Sequence, residues 1–399
     1  VASVKGEDMA KLPSGSFDDA LKGKAAGVFS ASETGAPGAT AVIKIRGNSS
    51  INGGDPLIVI DGVPSSIWSV NTLNISDIAN VEILKDASSQ AIYGASGGNG
   101  VILITTKKGE QNKLTTQLDY YYGYQAPRDN VDMLSTSEFF DIYNQIEDLP
   151  EDLQMNISDD SIASLPNTNW LQELTRTAPM QNVNLAISGG NDKSTFRFST
   201  AYFKQLGTVP NSDYERFNIR LNSDHQVSKR IRIGENISLV KDEYNGFVSW
   251  YFNNLYASPV FLALKMHPFV EPYVEDAEPL NYQWGQSPIT PGAENPFVRV
   301  DIINREVPTY RFNGDINIAI DIIKGLTFKT IGGYGVDFGY AKEFNPVYQY
   351  SSTVSNSFEN FDRTTWRNHS WYLQNTLTYN ASFGNHNLTL MAGYESGYY

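Results

Sequence analysis

The sequence contains no cysteine, which excludes disulfides and thiolate metal sites but fixes no compartment. It has four histidines, His225, His267, His369 and His386, all far down the chain. Any Ser–His chemistry would have to draw on one of them. No run approaches the ~18 consecutive apolar residues of a membrane-spanning helix. The first residues lack the basic-then-apolar pattern of a secretory signal. Charged residues are only 19% of the chain, low for a protein of this size. Acids outnumber bases, and the net charge of −14 argues against nucleic acid, whose phosphates need clustered Lys and Arg. What the chain has instead is tyrosine and phenylalanine, 23 and 20 of them, so its architecture must use many aromatic rings.

The pattern changes near Lys113. Before it, short helices and strands alternate. Ser16-Phe17-Asp18-Asp19 reads as a helix cap with an acidic first turn, Phe17 and Leu21 share a face, and Gly23 and Gly27 suit the exit. "AVIKIRG" alternates as a strand. "PLIVIDGVP" is a buried apolar run broken by the Asp61-Gly62 turn. Val81 to Leu84 is a further strand, Asp86 is placed to cap a helix from Ala87 to Tyr93 with Gly94 as its stop, and Val101 to Thr106 is a strand again.

After Lys113 the chain alternates with period two. Leu118, Tyr120, Tyr122 and Tyr124 oppose Gln117, Asp119 and Gly123; Phe196, Phe198 and Tyr202 oppose Arg197 and Ser199; Phe217, Ile219 and Leu221 oppose Arg216, Asn218, Arg220 and Asn222. Roughly nine such strands are expected, each near the length of a tilted membrane strand. Short turns at 189–192, 227–230, 323–325 and 383–386 alternate with long links at 125–180, 205–213, 241–308 and 340–366. Loops sorted by length onto two rims are the signature of an outer-membrane β-barrel. A soluble β-sandwich is the alternative; the row of Arg and Asn on one strand face would be odd in a sandwich core and suits a wet lumen or a soluble outer face.

One motif invites an enzymatic reading. Gly94-Ala95-Ser96-Gly97-Gly98 matches G-x-S-x-G, the nucleophile elbow of hydrolases. An elbow needs a strand before the serine and a helix after it, and here the order is reversed. The glycines are better explained by the backbone: Gly94 ends a helix, and Gly97, Gly98 and Gly100 allow a tight reversal with φ > 0.

The blocks "IKIRGNSSING", "DPLIVIDGVP" and "DIANVEILKDASSQAIYGASGGNGVILITTKKG" resemble, in order and spacing, the plug motifs of TonB-dependent outer-membrane transporters. The short "KDAS…IYG" form and the lead-in "SVKGEDMAKLP" are similar to the SusC/RagA branch. The resemblance implies an α+β plug domain over 1–112 and the first part of a transmembrane β-barrel over 113–399, from a barrel of 22 strands in the full protein. Both ends then read as cuts in a longer chain, with the energy-coupling segment preceding Val1. It implies no enzyme activity, no cofactor and no metal. Partners would be a SusD-like lipoprotein lid, the TonB energy-coupling complex, outer-membrane lipid, and an oligosaccharide or peptide as cargo.

Carried onto this sequence, the plug motifs single out Arg46, Gly47, Asp61, Gly62, Glu82, Lys85, Asp86, Tyr93 and Gly94. Arg46 and Glu82 are expected to make polar plug–barrel contacts, against the plain alternative of surface charge. Trp250, Tyr251, Tyr256, Tyr282 and Trp284 in the longest link are candidates for contact with substrate or partner, or for loop packing. The acidic 271–279 stretch reads as a solvated loop, and Tyr120 to Tyr124 as an interfacial girdle. A siderophore or cobalamin receptor, a soluble serine hydrolase and a β-rich binding module remain as alternatives.

Overall fold

The computed structural model describes residues 2–398 except 12–14, 33–34, 40, 48–53, 87–90, 129–130, 147–156, 247–257, 275–283, 291–292, 303 and 352–353. The N-terminal unit holds β1 (Ala2–Lys5), α1 (Gly6–Ala10), α2 (Phe17–Leu21), β2 (Val28–Ser32), β3 (Ala41–Ile45), β4 (Leu57–Ile60), β5 (Val63–Ser65), α3 (Ile67–Asn71), β6 (Ile78–Leu84) and β7 (Val101–Thr106). β1, β6, β7, β4 and β5 form one sheet in that order, and β2 pairs with β3 in a separate hairpin. The β4–β7 pair is parallel, the others antiparallel. Parallel strands are buried on both faces, which is why β4 and β7 read as continuous apolar runs. Met9, Phe17, Leu21, Ile43, Ile78 and Ile102 join in one core. Gly23 and Gly27 leave α2 with φ of 71° and 72°, as glycine at such exits does.

The chain leaves β7 through a short link, 107–114, and enters nine antiparallel strands: β8 (Thr115–Gln125), β9 (Ala178–Gly190), β10 (Ser194–Leu206), β11 (Asp213–Gln226), β12 (Ile231–Asn245), β13 (Asn304–Ile323), β14 (Leu326–Asn345), β17 (Asn360–Phe383) and β18 (His386–Tyr398). Two short strands, β15 (Tyr348–Gln349) and β16 (Ser355–Asn356), pair between β14 and β17. Sequence neighbours pair throughout the nine-stranded sheet, so it is an up-and-down meander, the wall of part of a β-barrel.

The wall alternates as expected. Phe217 is 44% exposed on the outer face while Arg216 is 4% exposed against the N-terminal unit. Phe196, Phe198 and Leu221 are exposed like Phe217, and Arg197 and Arg220 are buried like Arg216. A slip of one residue would exchange the two sets.

Three details differ from the sequence reading. β13 and β14 have 20 residues and β17 has 24, well beyond a minimal membrane strand, so the links between them shrink to 246–303 and 346–359. At ~3.3 Å per residue and a tilt of ~40°, a 20-residue strand stands ~50 Å tall, about twice the ~25 Å apolar band of such barrels. Polar residues occupy both faces of the upper part, which hid its strand period. Next, the helix expected from Ala87 lies partly outside the described residues, and 91–97 is a kinked 3-10 turn with Gly94 inside it rather than at its end. Finally, only Gly94 (φ 55°) and Gly100 (φ 96°) of that cluster have positive φ; Gly97 and Gly98 do not.

The long links carry helices α4 (Thr136–Tyr143), α5 (Asp159–Ile162), α6 (Trp170–Leu174), α7 (Pro259–Lys265) and α8 (Pro296–Ile302). They pack into one apolar cluster that includes Phe140, Trp170, Met266, Trp284, Phe297 and Tyr350, so three links form a single cap on the long-loop rim.

Candidate functional site

The N-terminal unit keeps its apolar residues inside and turns polar groups toward the wall. The Asp61-Gly62 turn sits at the end of β4 with φ of 52° and 93°. The first value is tolerated by Asp and the second suits Gly. This turn aims the Asp61 carboxylate at three donors. Oδ1 accepts from the Thr106 N–H at 2.9 Å, and Oδ2 accepts from Thr106 Oγ1 at 2.7 Å and from Arg220 Nη2 at 2.7 Å. Asn222 Nδ2 donates to Thr106 Oγ1 at 2.8 Å and to the Lys107 carbonyl at 3.0 Å. The carboxyl ends of β4 and β7 are thus tied together and to β11 through one acid.

A second buried pair lies beside it. Asp77, in the 3-10 turn before β6, accepts from Arg197 Nη2 at 3.3 Å and from Ser199 Oγ at 2.8 Å. Asn74 Nδ2 donates to Asn184 Oδ1 at 2.7 Å. Arg216 Nη1 donates to the Asn71 carbonyl at 2.7 Å, and Asn218 Nδ2 to the Thr72 carbonyl at 2.6 Å. Nearer the long-loop rim, Tyr244 Oη donates to the Gly38 carbonyl and Gln205 Oε1 accepts from the Gly38 N–H at 3.3 Å. Lone charges cannot be buried cheaply, so each arginine is held by a carboxylate or a carbonyl.

A cavity of 330 Å³ remains between α1 and strands β8 and β9, lined by Glu7, Lys11, Lys107, Gln117, Asp119 and Arg216 among others. Burial pushes the Lys107 ammonium below its usual range.

The residues singled out from sequence play different parts. Asp61 and Gly62 form the contact to the wall. Arg46, Lys85 and Asp86 instead clamp the N-terminal unit internally. Arg46 donates to the Lys85 carbonyl at 3.0 Å and to Asp86 Oδ1 at 2.9 Å, and Lys85 Nζ donates to the Ala26 carbonyl. The Arg46 guanidinium holds Asp86 below the usual carboxylate range. Glu82 is exposed and accepts from Asn80 Nδ2 at 3.2 Å. Among the described residues neither Arg46 nor Glu82 bonds to the nine strands, so the expected wall contacts pass from them to Asp61, Asp77, Asn74 and Thr106. The reason is position: Arg46 follows β3, and Glu82 points away from the core on an exposed face of β6, while the wall meets the turns at the strand ends. Gly47 has φ 90°, and Tyr93 packs beside Val59, Leu84 and Val101. Burial, and then the Glu395 carboxylate, raise the Tyr93 phenol.

Trp284, offered as a ligand contact, is 3% exposed; its Nε1 donates to Asp301 Oδ2 at 2.9 Å inside the cap, which is the packing role. Trp250, Tyr251, Tyr256 and Tyr282 lie outside the described residues. Ser96 is exposed, precedes a strand, and has no hydrogen bond to a histidine among the described residues. Asp77 was missed because it sits in a connection, where an acid usually faces water; the Arg–Asn row of β11 was the available signal that buried acceptors must exist.

The family described as TonB-dependent Receptor Plug Domain matches residues 1–101. TonB-dependent receptor P3 of Formosa agariphila is 34% identical over 402 residues, 99% of this chain and 38% of that protein. TonB-dependent receptor SusC of Bacteroides thetaiotaomicron is 34% identical over 233 residues, 56% of this chain and 22% of that protein. The RagAB peptide importer in its closed-closed state superposes with a TM-score of 0.82 at 24% identity, covering 99% of this chain and 47% of that one. The chain therefore spans less than half the length of these relatives. The plug match, the full-length similarity and the meander wall together place it in a family: the chain belongs to the TonB-dependent receptors of the SusC/RagA type, as a plug with part of the barrel around it.

Proposed function

We propose that the whole protein is an energised importer in the outer membrane of a Gram-negative cell. Cargo enters from the long-loop rim, and a periplasm-spanning TonB complex acts on the N-terminal side of the plug to open a path along the wall. No bond is made or broken in the cargo. A SusD-like lipoprotein closes the cap side. The observation that carries this reading is the plug–wall interface: an apolar plug core held in place by hydrogen bonds and ion pairs. Apolar contacts resist extraction, at ~1.5–3 kcal/mol per buried side chain. Hydrogen bonds exchange with water at a net ~0.5–1.5 kcal/mol each. Such a plug is stable at rest and still remodelled by a modest pull.

The cargo class is an oligosaccharide, which fits the aromatic-rich long links, with a peptide as the second reading, favoured by the likeness to a peptide importer. A siderophore is less favoured, since superposition on the siderophore receptor PirA has a TM-score of 0.58. Uptake of labelled oligosaccharides and peptides by cells with and without the gene tests this. Oligosaccharide uptake that needs both the gene and the TonB complex is expected. Uptake of neither, with the protein folded in the outer membrane, would end the reading.

A further inference from the structure

The wall meets the plug mainly through Arg and Asn side chains, but one stretch of its inner face is aromatic. Phe203 on β10, Tyr214 on β11 and Tyr244 on β12 form a buried cluster. Ring centroids are 6.1 Å apart for Phe203 and Tyr214, and 4.7 Å apart for Tyr214 and Tyr244. Arg216 Cζ lies 5.5 Å from the centroid of the Phe203 ring. β10, β11 and β12 each have a wall strand on both sides, so the strip is complete within this chain. It lies toward the long-loop rim, since Tyr214 is near the start of β11 and Tyr244 near the end of β12.

Glycine backbone covers the rings. A Cβ at Gly38, between β2 and β3, would lie 2.5 Å from Tyr214 and 2.8 Å from Tyr244. One at Gly15, ahead of α2, would lie 2.6 Å from Phe203. Polar wall groups hold this backbone. Tyr244 Oη donates to the Gly38 carbonyl, Gln205 Oε1 accepts from the Gly38 N–H at 3.3 Å, and Arg216 Nη1 donates to the Gly15 carbonyl at 3.2 Å. Aromatic faces edged by a few polar groups suit a sugar ring, whose C–H face stacks while its hydroxyls take the hydrogen bonds. Glycine backbone satisfies the same groups and buries no side chain of its own, so it parts from the rings at little cost. A peptide bound as Gly38 is bound would drive its Cβ into Tyr214, which favours sugar over peptide.

We propose that Phe203, Tyr214 and Tyr244 form a stacking track for sugar rings, covered at rest by Gly15 and Gly38 and uncovered when the plug is pulled. This rests on the oligosaccharide reading of the cargo and places the start of its path on β10 to β12.

The test is uptake by cells carrying the full-length protein or its Tyr214→Leu, Tyr244→Leu and Tyr214→Phe variants. The probes are tritiated hexaoses of glucose, xylose and mannose, and tritiated peptides of like mass. Blotting checks the amount in the outer membrane, and vancomycin sensitivity reports a leaking plug. Hexaose uptake is expected to fall about fivefold in each leucine variant, the size of one lost aromatic pair. Tyr214→Phe should stay near the parent, and hexaose binding to de-energised cells should not change, because the strip is covered at rest. Parental hexaose uptake in both leucine variants overturns the proposal and leaves the cargo reading standing. An equal loss in Tyr214→Phe would mark a hydroxyl contact, and a loss matched by vancomycin sensitivity a plug-retaining role; either overturns it. Peptide uptake slowed by the leucine variants would mark a peptide track and overturn the sugar assignment. Uptake of neither probe by the parent would fail the cargo reading first, and this proposal with it.

Discussion

Asp61 and Asp77 are the two buried acids that tie the plug to arginines of the wall, and Asp61 also joins β4 to β7. Asp61 is 5% exposed at its side chain, and its partner Arg220 is 10% exposed. Removing Arg220 leaves a buried carboxylate with only Thr106 to satisfy it, and breaking such a pair costs about 3–5 kcal/mol. Arg220→Ala is therefore expected to raise amide exchange in residues 57–65 and 101–106 while the barrel stays folded; unchanged exchange there would show that the pair is not what holds the turn. The glycines give a second test. An added Cβ at Gly100 would lie 2.6 Å from Ile45 Cδ1 at φ 96°, whereas at Gly94 it meets no atom within 4 Å but keeps φ 55° and ψ −141°. Gly100→Ala should cost more than Gly94→Ala, which carries only backbone strain of about 1–3 kcal/mol, and Ser96→Ala should leave stability and uptake unchanged. Thermal melting and uptake of the three variants decide between this backbone account and a catalytic Ser96.

The strands and the cap answer to different forces. On the strands, facing is set by register, so Phe217→Arg puts a charge toward lipid and should cost about 2–4 kcal/mol at mid-membrane, while a polar change at the inward Asn218 should disturb the plug contact and spare insertion. Refolding into bilayers measures the first and amide exchange the second. The cap is an apolar cluster made of three links, and His267 lies inside it, its ring 5.1 Å from Phe139 and 5.3 Å from Phe269. Burial lowers its pKa from the usual 6.5. A base held neutral in the fold contributes stability above its unfolded pKa, and that stability is lost as pH falls through 6.5 toward the lower folded value. Proteolysis of the 126–177 link should therefore speed up on acidification below about pH 6.5, and His267→Phe should remove the pH dependence. A pH-independent rate in the parent protein would show that His267 is not coupled to cap stability.

At the scale of the whole chain, a plug with an apolar core is held against one wall by polar contacts, and a fused cap covers the long-loop rim. Much of it was legible in the sequence. Alternation with period two fixed which residues of β10 and β11 face lipid, because a strand exposes its two faces to two solvents. Short and long connections sorted themselves, and the blocks around Arg46, Asp61 and Glu82 marked the plug. The partners across the interface were not legible. Asp77 meets Arg197, and Asp61 meets Arg220, across separations of 120 and 159 residues. Those pairings are decided by where two independently folded units touch. Arg46 and Asp86 look equally suited to the wall in one dimension, and only the packing of the β2–β3 hairpin against the end of β6 turns them on each other. The long-loop ends of β13, β14 and β17, residues 304–309, 339–345 and 360–370, were read as link because polar residues lie on both their faces and the hydrophobic period vanishes. Local pattern thus determined the elements and their faces, since burial along a strand is a local choice. The tertiary structure decided the ion pairs and the cap, since each depends on chain segments whose meeting no local pattern records.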